Sequence, residues 1–440
     1  MKAQLRLAVV LAGTLLAAQA QPLVVHEWGT FTSLQDEAGR TLGGINTDDE
    51  PVPPFCHDLD PILILPPGEL PPVLYKGIGS CRPEVTLRLE TPVLYFHLPK
   101  DSAGPLTATV KVAFRGGWLT QFYPAAETGG YASQDRLTEA TTGTLIWNDL
   151  KIGGQGTGPE TTNRVWTAPC AVEAASVTSA NGESEKFLFY RGVGHLLCPL
   201  QVSRTEDSKR LEGRAQCGLG LPDGSAMSLQ RLWLVSIRAG GRCAFRPLAP
   251  VTITSRQDPG SSAALFSTPA EFASGDYSTA NLPRLRREMR GALEAEGLFA
   301  DEADALLNTW EVSYFKSPGL RLFFLVPQAW TEAYLPLQLS VPSEIKRAMV
   351  GRLELVTPEQ RALLRKLAQA PPPTKPWAQL AIKDGRAVTE GTMPTAYRDL
   401  GRFRNALLLD EFYARPNRSL EAFIAINRLQ AAVAKSDVLQ

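Results

Sequence analysis

The spacing of apolar residues divides the chain into two regions with different periods. From about residue 22 to 255, short apolar or aromatic runs are bounded by Gly, Pro, Asn or Asp, and no helical pattern separates them. Runs of this length and alternation are typical of strands in an all-β domain. The pattern therefore predicts a mainly β fold, with a β-sandwich-like N-terminal half.

One segment of this half carries a turn signal. Residues 106–124, LTATVKVAFRGGWLTQFYP, alternate on both sides of Gly116-Gly117. Two alternating runs joined by a glycine pair favour a β-hairpin. We therefore expect the two strands of this segment to pair with each other.

The pattern changes after residue 256. Residues 257–280 are rich in Ser, Ala, Gly and Pro and show no period, which predicts a linker. Beyond it the helical period appears, in a mixed α and β, helix-rich C-terminal part. The predicted organisation is a signal peptide at 1–20, a β-sandwich-like domain at 21–256, a linker at 257–280 and an α+β helical region at 281–440.

Three local signals place elements in the C-terminal part. Leu285, Met289 and Leu293 recur at helical spacing and predict a helix that begins after Asn281. Asp301 is a candidate N-cap for a second helix. Thr357-Pro358-Glu359-Gln360 combines a Thr N-cap, a Pro at the first helical position and a Gln placed to close a capping box. Two apolar runs, GLRLFFLVP and AMVGRLELV, predict strands.

The first twenty residues have the pattern of a secretory signal peptide. Lys2 and Arg6 precede an apolar stretch, Leu7 to Ala18, that is too short to span a bilayer. Ala18-Gln19-Ala20 supplies small residues at the expected cleavage site. No later segment is apolar for long enough to cross a membrane. We therefore expect a periplasmic or secreted protein that begins near Gln21 and has no membrane span.

Charge and cysteine content narrow the choice of partners. Lys and Arg total 45, equal to Asp and Glu, and no basic cluster stands out, so nucleic acid is not expected as a partner. Six cysteines in an exported chain favour disulfides, although six allow fifteen pairings. Proximity along the chain favours Cys56 with Cys81, Cys170 with Cys198, and Cys217 with Cys243.

Four sequence blocks carry a resemblance. They are HEWGTFTS, ETPVLYFH, EKFLFYRGVG and MVGRLELVTPEQ, which together span residues 26–360. The chain resembles a group of uncharacterised exported bacterial proteins that share this HEWGTFTS-like opening and the later blocks in the same order. The resemblance implies a bacterial, exported protein and brings with it no activity and no catalytic residues.

The histidines suggest a metal site. Three of the four, His26, His57 and His97, fall within the first hundred residues. If the strands that carry His26 and His97 pair, the two rings approach each other, and His57 in a Pro-rich loop completes a three-imidazole set for zinc or copper. Glu27 is the candidate general base. However, strand alternation turns it away from His26, toward the face of Val25 and Phe31, unless a bulge intervenes.

Each functional interpretation has a purely structural alternative. Each histidine is also explained by a hydrogen bond within a sheet or loop. A group of aromatic residues in the β half offers either a sugar-stacking platform or core filling, namely Trp118, Tyr123, Tyr131, Trp147 and Trp166. No GxSxG nucleophile elbow occurs. Two classes of function therefore remain: a metal-assisted, His-ligated enzyme, and a non-catalytic cell-envelope scaffold or carbohydrate-binding protein.

Overall fold

The computed structural model describes residues 22–47, 50–59, 74–75, 78–79, 82–100, 102, 104–131, 136–216, 221, 224–254, 263–372, 379–383, 386–390 and 394–425. All structural statements below refer to these residues. The predicted signal peptide lies outside them.

Strands dominate, with 38% of residues in strands and 25% in helices. The strands are β1 Leu23–Gln35, β2 His57–Asp58, β3 Leu74–Tyr75, β4 Ile78–Gly79, β5 Leu87–His97, β6 Leu106–Arg115, β7 Gly117–Tyr123, β8 Glu127–Gly129, β9 Thr142–Ile152, β10 Val177–Thr178, β11 Ser184–Glu185, β12 Leu188–Gly194, β13 Leu200–Arg204, β14 Arg210–Ala215, β15 Met227–Leu229, β16 Leu232–Arg238, β17 Arg242–Leu248, β18 Val251–Ile253, β19 Phe266–Pro269, β20 Gly319–Val326, β21 Leu337–Leu339, β22 Ser343–Leu355, β23 Gln379–Lys383 and β24 Arg386–Glu390.

The helices lie mainly in the second half of the chain. They are α1 Arg164–Cys170, α2 Asn281–Ala295, α3 Ala300–Thr309, α4 Gln328–Tyr334, α5 Pro358–Gln369, α6 Thr395–Arg398 and α7 Arg404–Ala414. A π-helical turn, Val312–Lys316, follows α3. Residues 418–425 are also helical.

The main structural unit is one large curled sheet of 15 strands. Its central path runs β11-β10-β9-β7-β12-β5-β1-β22-β20-β16-β17. The mainly β fold with a helix-containing C-terminal part is therefore confirmed. The finer expectation of a sandwich of two packed sheets is not confirmed. Most of the long strands of the first half belong to this one sheet, while β3-β4, β13-β14-β19 and β15-β18 form separate small sheets.

Strand β1 occupies the middle of the sheet. It pairs parallel with β22 along its whole length, and antiparallel with β5 on the other side from Val24 to Thr32. Residues from the start and from the last hundred of the chain thus share one ladder. Because β20 and β22 lie between β1 and β16, the sheet continues across the predicted boundary at 257–280.

The part of 257–280 that the structure describes is not an irregular linker. Residues 266–269 form β19, which pairs with β14.

The predicted hairpin at 106–124 is also wrong. Both strands form, but β6 pairs with β9 and β21, while β7 pairs with β12, β2 and β9. Gly116 has a φ of 83°, so the glycine does form a turn between β6 and β7. The turn does not determine which strands β6 and β7 pair with.

The helix signals were mostly correct. Helix α2 begins at Asn281 and buries Leu285, Met289 and Leu293 as predicted. At α5, Thr357 accepts a hydrogen bond from the Gln360 amide and the Gln360 side chain accepts one from the Thr357 amide, which confirms the capping box. For α3 the predicted N-cap is two residues too late: the N-cap position is Phe299, and Asp301 lies inside the first turn.

Buried apolar side chains form three clusters, which lie on the two faces of the sheet and around the C-terminal helices. One contains Val25, Phe31 and Phe96 on one face of the sheet. The second packs Trp28 on the opposite face against α2 and α3. A third lies around α5 and α7. Because successive residues of β1 enter different clusters, its two faces are both buried, and any polar group on them needs a partner.

The cysteines do not follow the predicted pairing. Cys56, Cys170, Cys198 and Cys243 are free thiols. The Cys170–Cys198 disulfide is therefore absent, while Cys81 and Cys217 lie outside the described residues. Within the described part of the chain, no helix combines the length and apolarity that a bilayer crossing needs.

Candidate metal centre

Pairing of β1 with β5 brings two of the predicted histidines together. In this antiparallel ladder His26 is opposite Tyr95 and His97 is opposite Val24, so both imidazoles lie on the sheet face that packs against α3. Their ring centroids are 5.1 Å apart. The two side chains are therefore diagonal neighbours across the strand pair.

A third polar residue, Glu302, reaches this point from α3. It is the third residue of the helix, and its Oε2 accepts the Phe299 amide at 2.7 Å. This contact caps the helix, because the first amides of a helix have no partner within it. The helix N-terminus thereby holds the carboxylate in a fixed orientation, facing the sheet.

The carboxylate bonds both imidazoles at once. The Nδ1 of His26 donates to Oε2 at 2.7 Å, and the Nε2 of His97 donates to Oε1 at 2.9 Å. The exposed side-chain fractions are 3% for His26, 16% for His97 and 0% for Glu302. Glu302 and His26 are thus enclosed, and His97 is the partly exposed member of the three.

The environment of Glu302 favours its ionised form. Burial alone raises the pKa of a carboxyl group, but here the hydrogen bonds from His26 and His97 outweigh it and hold the pKa of Glu302 at about 2. The carboxylate is therefore negatively charged at neutral pH, which a metal ligand requires.

These three side chains are a chemically suitable set for a metal ion. One ligand atom from each lies within 4.8 Å of the others. Two imidazoles and one carboxylate leave open positions on zinc or copper. Ligand atoms on a tetrahedral zinc lie about 3.4 Å apart for bonds of about 2.1 Å. For an ion to bind here, His26 Nδ1 and His97 Nε2 would give up the protons they donate to Glu302, and the contacts of 2.7 and 2.9 Å would widen to ligand–ligand distances.

The third predicted ligand, His57, is not part of this group. It lies on β2, which pairs with β7, and its Nε2 hydrogen bonds both carboxylate oxygens of Glu183 at 3.0 Å. Its ring stacks on Phe122. The third candidate ligand is therefore the carboxylate of Glu302 and not the imidazole of His57.

The predicted general base, Glu27, faces the opposite side of the sheet. Its carboxylate accepts hydrogen bonds from the Tyr190 hydroxyl and the Arg347 guanidinium, and all three side chains are buried. Burial lowers the pKa of Arg347, but the adjacent Glu27 carboxylate outweighs this and raises it. Glu27 therefore forms a buried ion pair, away from the histidines.

A bulge does occur next to this segment, but on the neighbouring strand. The register between β1 and β5 shifts between Trp28 and Thr30, and Thr91 on β5 has a φ of 43°. The extra residue lies in β5, so β1 keeps its alternation. Glu27 and His26 consequently remain on opposite faces.

Sequence patterns did not identify Glu302. The local signal was an acidic pair after Phe299, of which Asp301 was assigned as the cap; in the structure the Asp301 carboxylate accepts the Glu173 amide instead. A Glu three residues after a helix start is a capping signal that could have been found. The proximity of Glu302 to two histidines that lie far away in the sequence could not have been predicted from any local pattern.

Most aromatic residues proposed as a sugar platform are core residues. Trp118, Tyr123, Trp147 and Trp166 are buried. Tyr131 is partly buried, and its hydroxyl donates to the Leu119 carbonyl. Side chains in these positions fill the interior and do not present faces to a ligand.

A large cavity lies elsewhere, between the β16 and β20 strand ends and the start of α5. Its volume is about 640 Å³, and its lining includes Arg238, Phe272, Tyr277 and Pro358. The polar groups in its lining include both arginines and carboxylates, and neither histidine of the candidate centre is among them. The cavity and the candidate metal centre are therefore separate features of the molecule.

Comparisons with known proteins do not identify a family. No protein-family model matches the chain, and no curated protein sequence matches it. Among solved structures, it is similar to the Fcho1 Mu homology domain of Danio rerio with bound Eps15 peptide. That match has 8% sequence identity and a TM-score of 0.30, and covers 77% of this chain and 98% of the other. A likeness of this size carries no functional argument.

Proposed function

We propose that this chain is an exported bacterial protein that binds a divalent transition metal through His26, His97 and Glu302, and that it acts as a metal-assisted enzyme. The observation that carries the proposal is the convergence of two imidazoles and one ionised carboxylate at the solvent-reachable end of β1. Export is supported by the charged, apolar and small-residue pattern of residues 1–20.

Zinc and copper are ions that this donor set can hold. Imidazole nitrogen is a good ligand for both, and a set of only three protein ligands leaves a position for water or substrate. Such an ion supplies Lewis acidity and lowers the pKa of a bound water. The cap contact of Glu302 and its burial keep the carboxylate in place, as the supporting groups of a metal site generally do.

The test is elemental analysis of the purified protein combined with zinc and copper titration. We expect about one metal ion per chain, and we expect His26→Ala, His97→Ala and Glu302→Gln each to weaken its affinity by at least about 100-fold. The Gln substitution keeps the shape and the cap acceptor of Glu302 while removing the charge.

His57→Ala, His195→Ala and Glu183→Gln serve as controls, because these residues lie outside the group. His195 bonds the Glu84 carbonyl, and Glu183 pairs with His57. The controls should retain wild-type metal content. A wild-type protein that binds no zinc or copper would overturn the proposal and leave the cluster as a hydrogen-bonded link between α3 and the sheet.

A further inference from the structure

An exposed aromatic ring covers the candidate centre. The Phe299 ring centroid lies 4.6 Å from that of His26 and 4.8 Å from that of His97. Although it contacts both imidazoles, 49% of Phe299 remains exposed. Its backbone is fixed by the amide contact with Glu302. An apolar surface of this size at a fixed position is suited to contact a ligand that enters the site.

A cationic side chain stands on the other side of His26. Lys346 of β22 is the register partner of His26 in the parallel ladder, so both side chains lie on the same sheet face. Its aliphatic stem packs against Gly297, where an added Cβ would lie 3.3 Å from the Lys346 Cγ and Cδ. Gly297 has a φ of 103°, a backbone conformation that favours glycine, and the Lys346 stem contacts it closely.

The exposed fractions show the direction from which a ligand approaches. Glu302 and His26 are almost fully enclosed, whereas the Lys346 side chain is 44% exposed and Phe299 about half exposed. Lys346 contacts Glu344 at 3.3 Å, an exposed pair that water and salt screen. The solvent side of the centre therefore presents the aromatic face of Phe299, with the Lys346 ammonium and its Glu344 partner beside it.

We infer that the centre takes small monoanions that carry an apolar group, such as aryl or alkyl carboxylates. This inference rests on the proposed function. With a metal ion held by His26, His97 and Glu302, the ligand's carboxylate would bind that ion, and Lys346 would add positive potential beside His26. The apolar group lies against Phe299. Neutral analogues and carboxylates without an apolar group each lack one of the two contacts.

The experiment uses the full-length protein loaded with Co²⁺, whose visible absorption reports ligands that enter the metal site. Phenylacetate, acetate and phenylacetamide are titrated separately. We expect phenylacetate to bind about tenfold more tightly than acetate, since a phenyl group stacked on Phe299 contributes on this scale. Phenylacetamide, which lacks the charge, should bind more weakly than phenylacetate.

Two variants assign the contacts. Phe299→Ala should remove the difference between phenylacetate and acetate, and Lys346→Met, which keeps the aliphatic stem, should weaken both anions about two- to threefold. Tyr413→Ala and Lys209→Met are the matched controls, because each removes an exposed side chain of the same type elsewhere. Co²⁺ content should be unchanged in all four.

The possible failures are distinct. A protein that binds none of Zn²⁺, Cu²⁺ and Co²⁺ overturns the metal proposal and this inference together. A protein that binds Co²⁺ but shows equal affinity for phenylacetate and acetate, or an undiminished difference in Phe299→Ala, overturns the ligand assignment and leaves the metal site standing.

Discussion

His26 and Glu302 are separated by 276 positions in sequence, yet the Nδ1 of one donates to the Oε2 of the other at 2.7 Å inside the protein. The contact joins the central strand of the sheet to the start of α3. With His97 on the other carboxylate oxygen, it creates the most concentrated group of metal-ligating side chains among the described residues.

The first prediction concerns the pH dependence of stability. The pKa of Glu302 is about 2 in the folded protein and takes the ordinary value of 4.5 when unfolded. A lowered folded pKa stabilises the protein above the unfolded value, and this stabilisation is lost as pH falls through the folded value. Its size should be about 3 kcal/mol above pH 5 and about half of that at pH 3.

Urea unfolding of metal-free wild type and Glu302→Gln between pH 6 and 3 measures this effect. The difference in unfolding free energy between the two proteins should shrink as the pH falls. A Glu183→Gln control reports the same titration at a more exposed carboxylate and should show a smaller change. A difference for Glu302→Gln that stays constant across this range would contradict the assignment.

The second prediction separates Glu27 from the metal centre. Glu27→Ala should cost about 3–5 kcal/mol in the free energy of unfolding, because it leaves the buried Arg347 charge without its carboxylate. The double variant Glu27→Ala/Arg347→Met should recover part of this loss. Metal content should not change in either, because the pair faces away from His26.

Glu344→Ala is the control for this pair. It removes a carboxylate from the same strand as Arg347, but its partner Lys346 is half exposed, so the cost should stay below about 1 kcal/mol. Loss of bound metal in Glu27→Ala, with the fold intact by circular dichroism, would restore Glu27 as a site residue.

The third prediction concerns the cysteines. Four free thiols in the structure imply that protein unfolded without reductant titrates at least four thiols. In the native state the reaction should be slow, because burial raises the pKa of Cys170 and Cys198 to about 12 and that of Cys243 to about 11. A thiol count below two in unfolded protein would instead support the disulfides expected from the sequence.

Cys170 is the partly exposed member of the four and should react first in the native protein. Cys170→Ser should remove the fastest phase of labelling by a thiol reagent. Cys198→Ser, at a buried position, should leave that phase unchanged and serves as the matched control.

The fourth prediction concerns the division of the chain. A fragment of residues 281–440 expressed alone should not fold, because β22 and β20 need β1 and β16 as neighbours in the sheet. Co-expression with residues 21–256 should restore near-native circular dichroism, and the two fragments should co-elute. Cooperative thermal unfolding of the isolated 281–440 fragment would show instead that the region is an independent domain.

Short-range patterns specified many of the elements. The period of Leu285, Met289 and Leu293 determined a helix, and Thr357 with Gln360 determined where another begins, since both signals depend on residues within one or two turns. Alternation along β1 likewise placed His26 and Glu27 on opposite faces, because side-chain direction in a strand depends only on its own backbone. These properties follow from the sequence by itself.

Strand partners and the composition of the site were decided only by the tertiary structure. The Gly116-Gly117 signal could mark a turn but could not exclude β9, β12 and β21 as partners. Likewise, Glu302 carries a local capping signal, while its position between His26 and His97 arises from α3 packing onto the β1–β5 pair. Pairing and packing depend on which distant surfaces bury each other, a choice made by the whole chain and invisible to any local period.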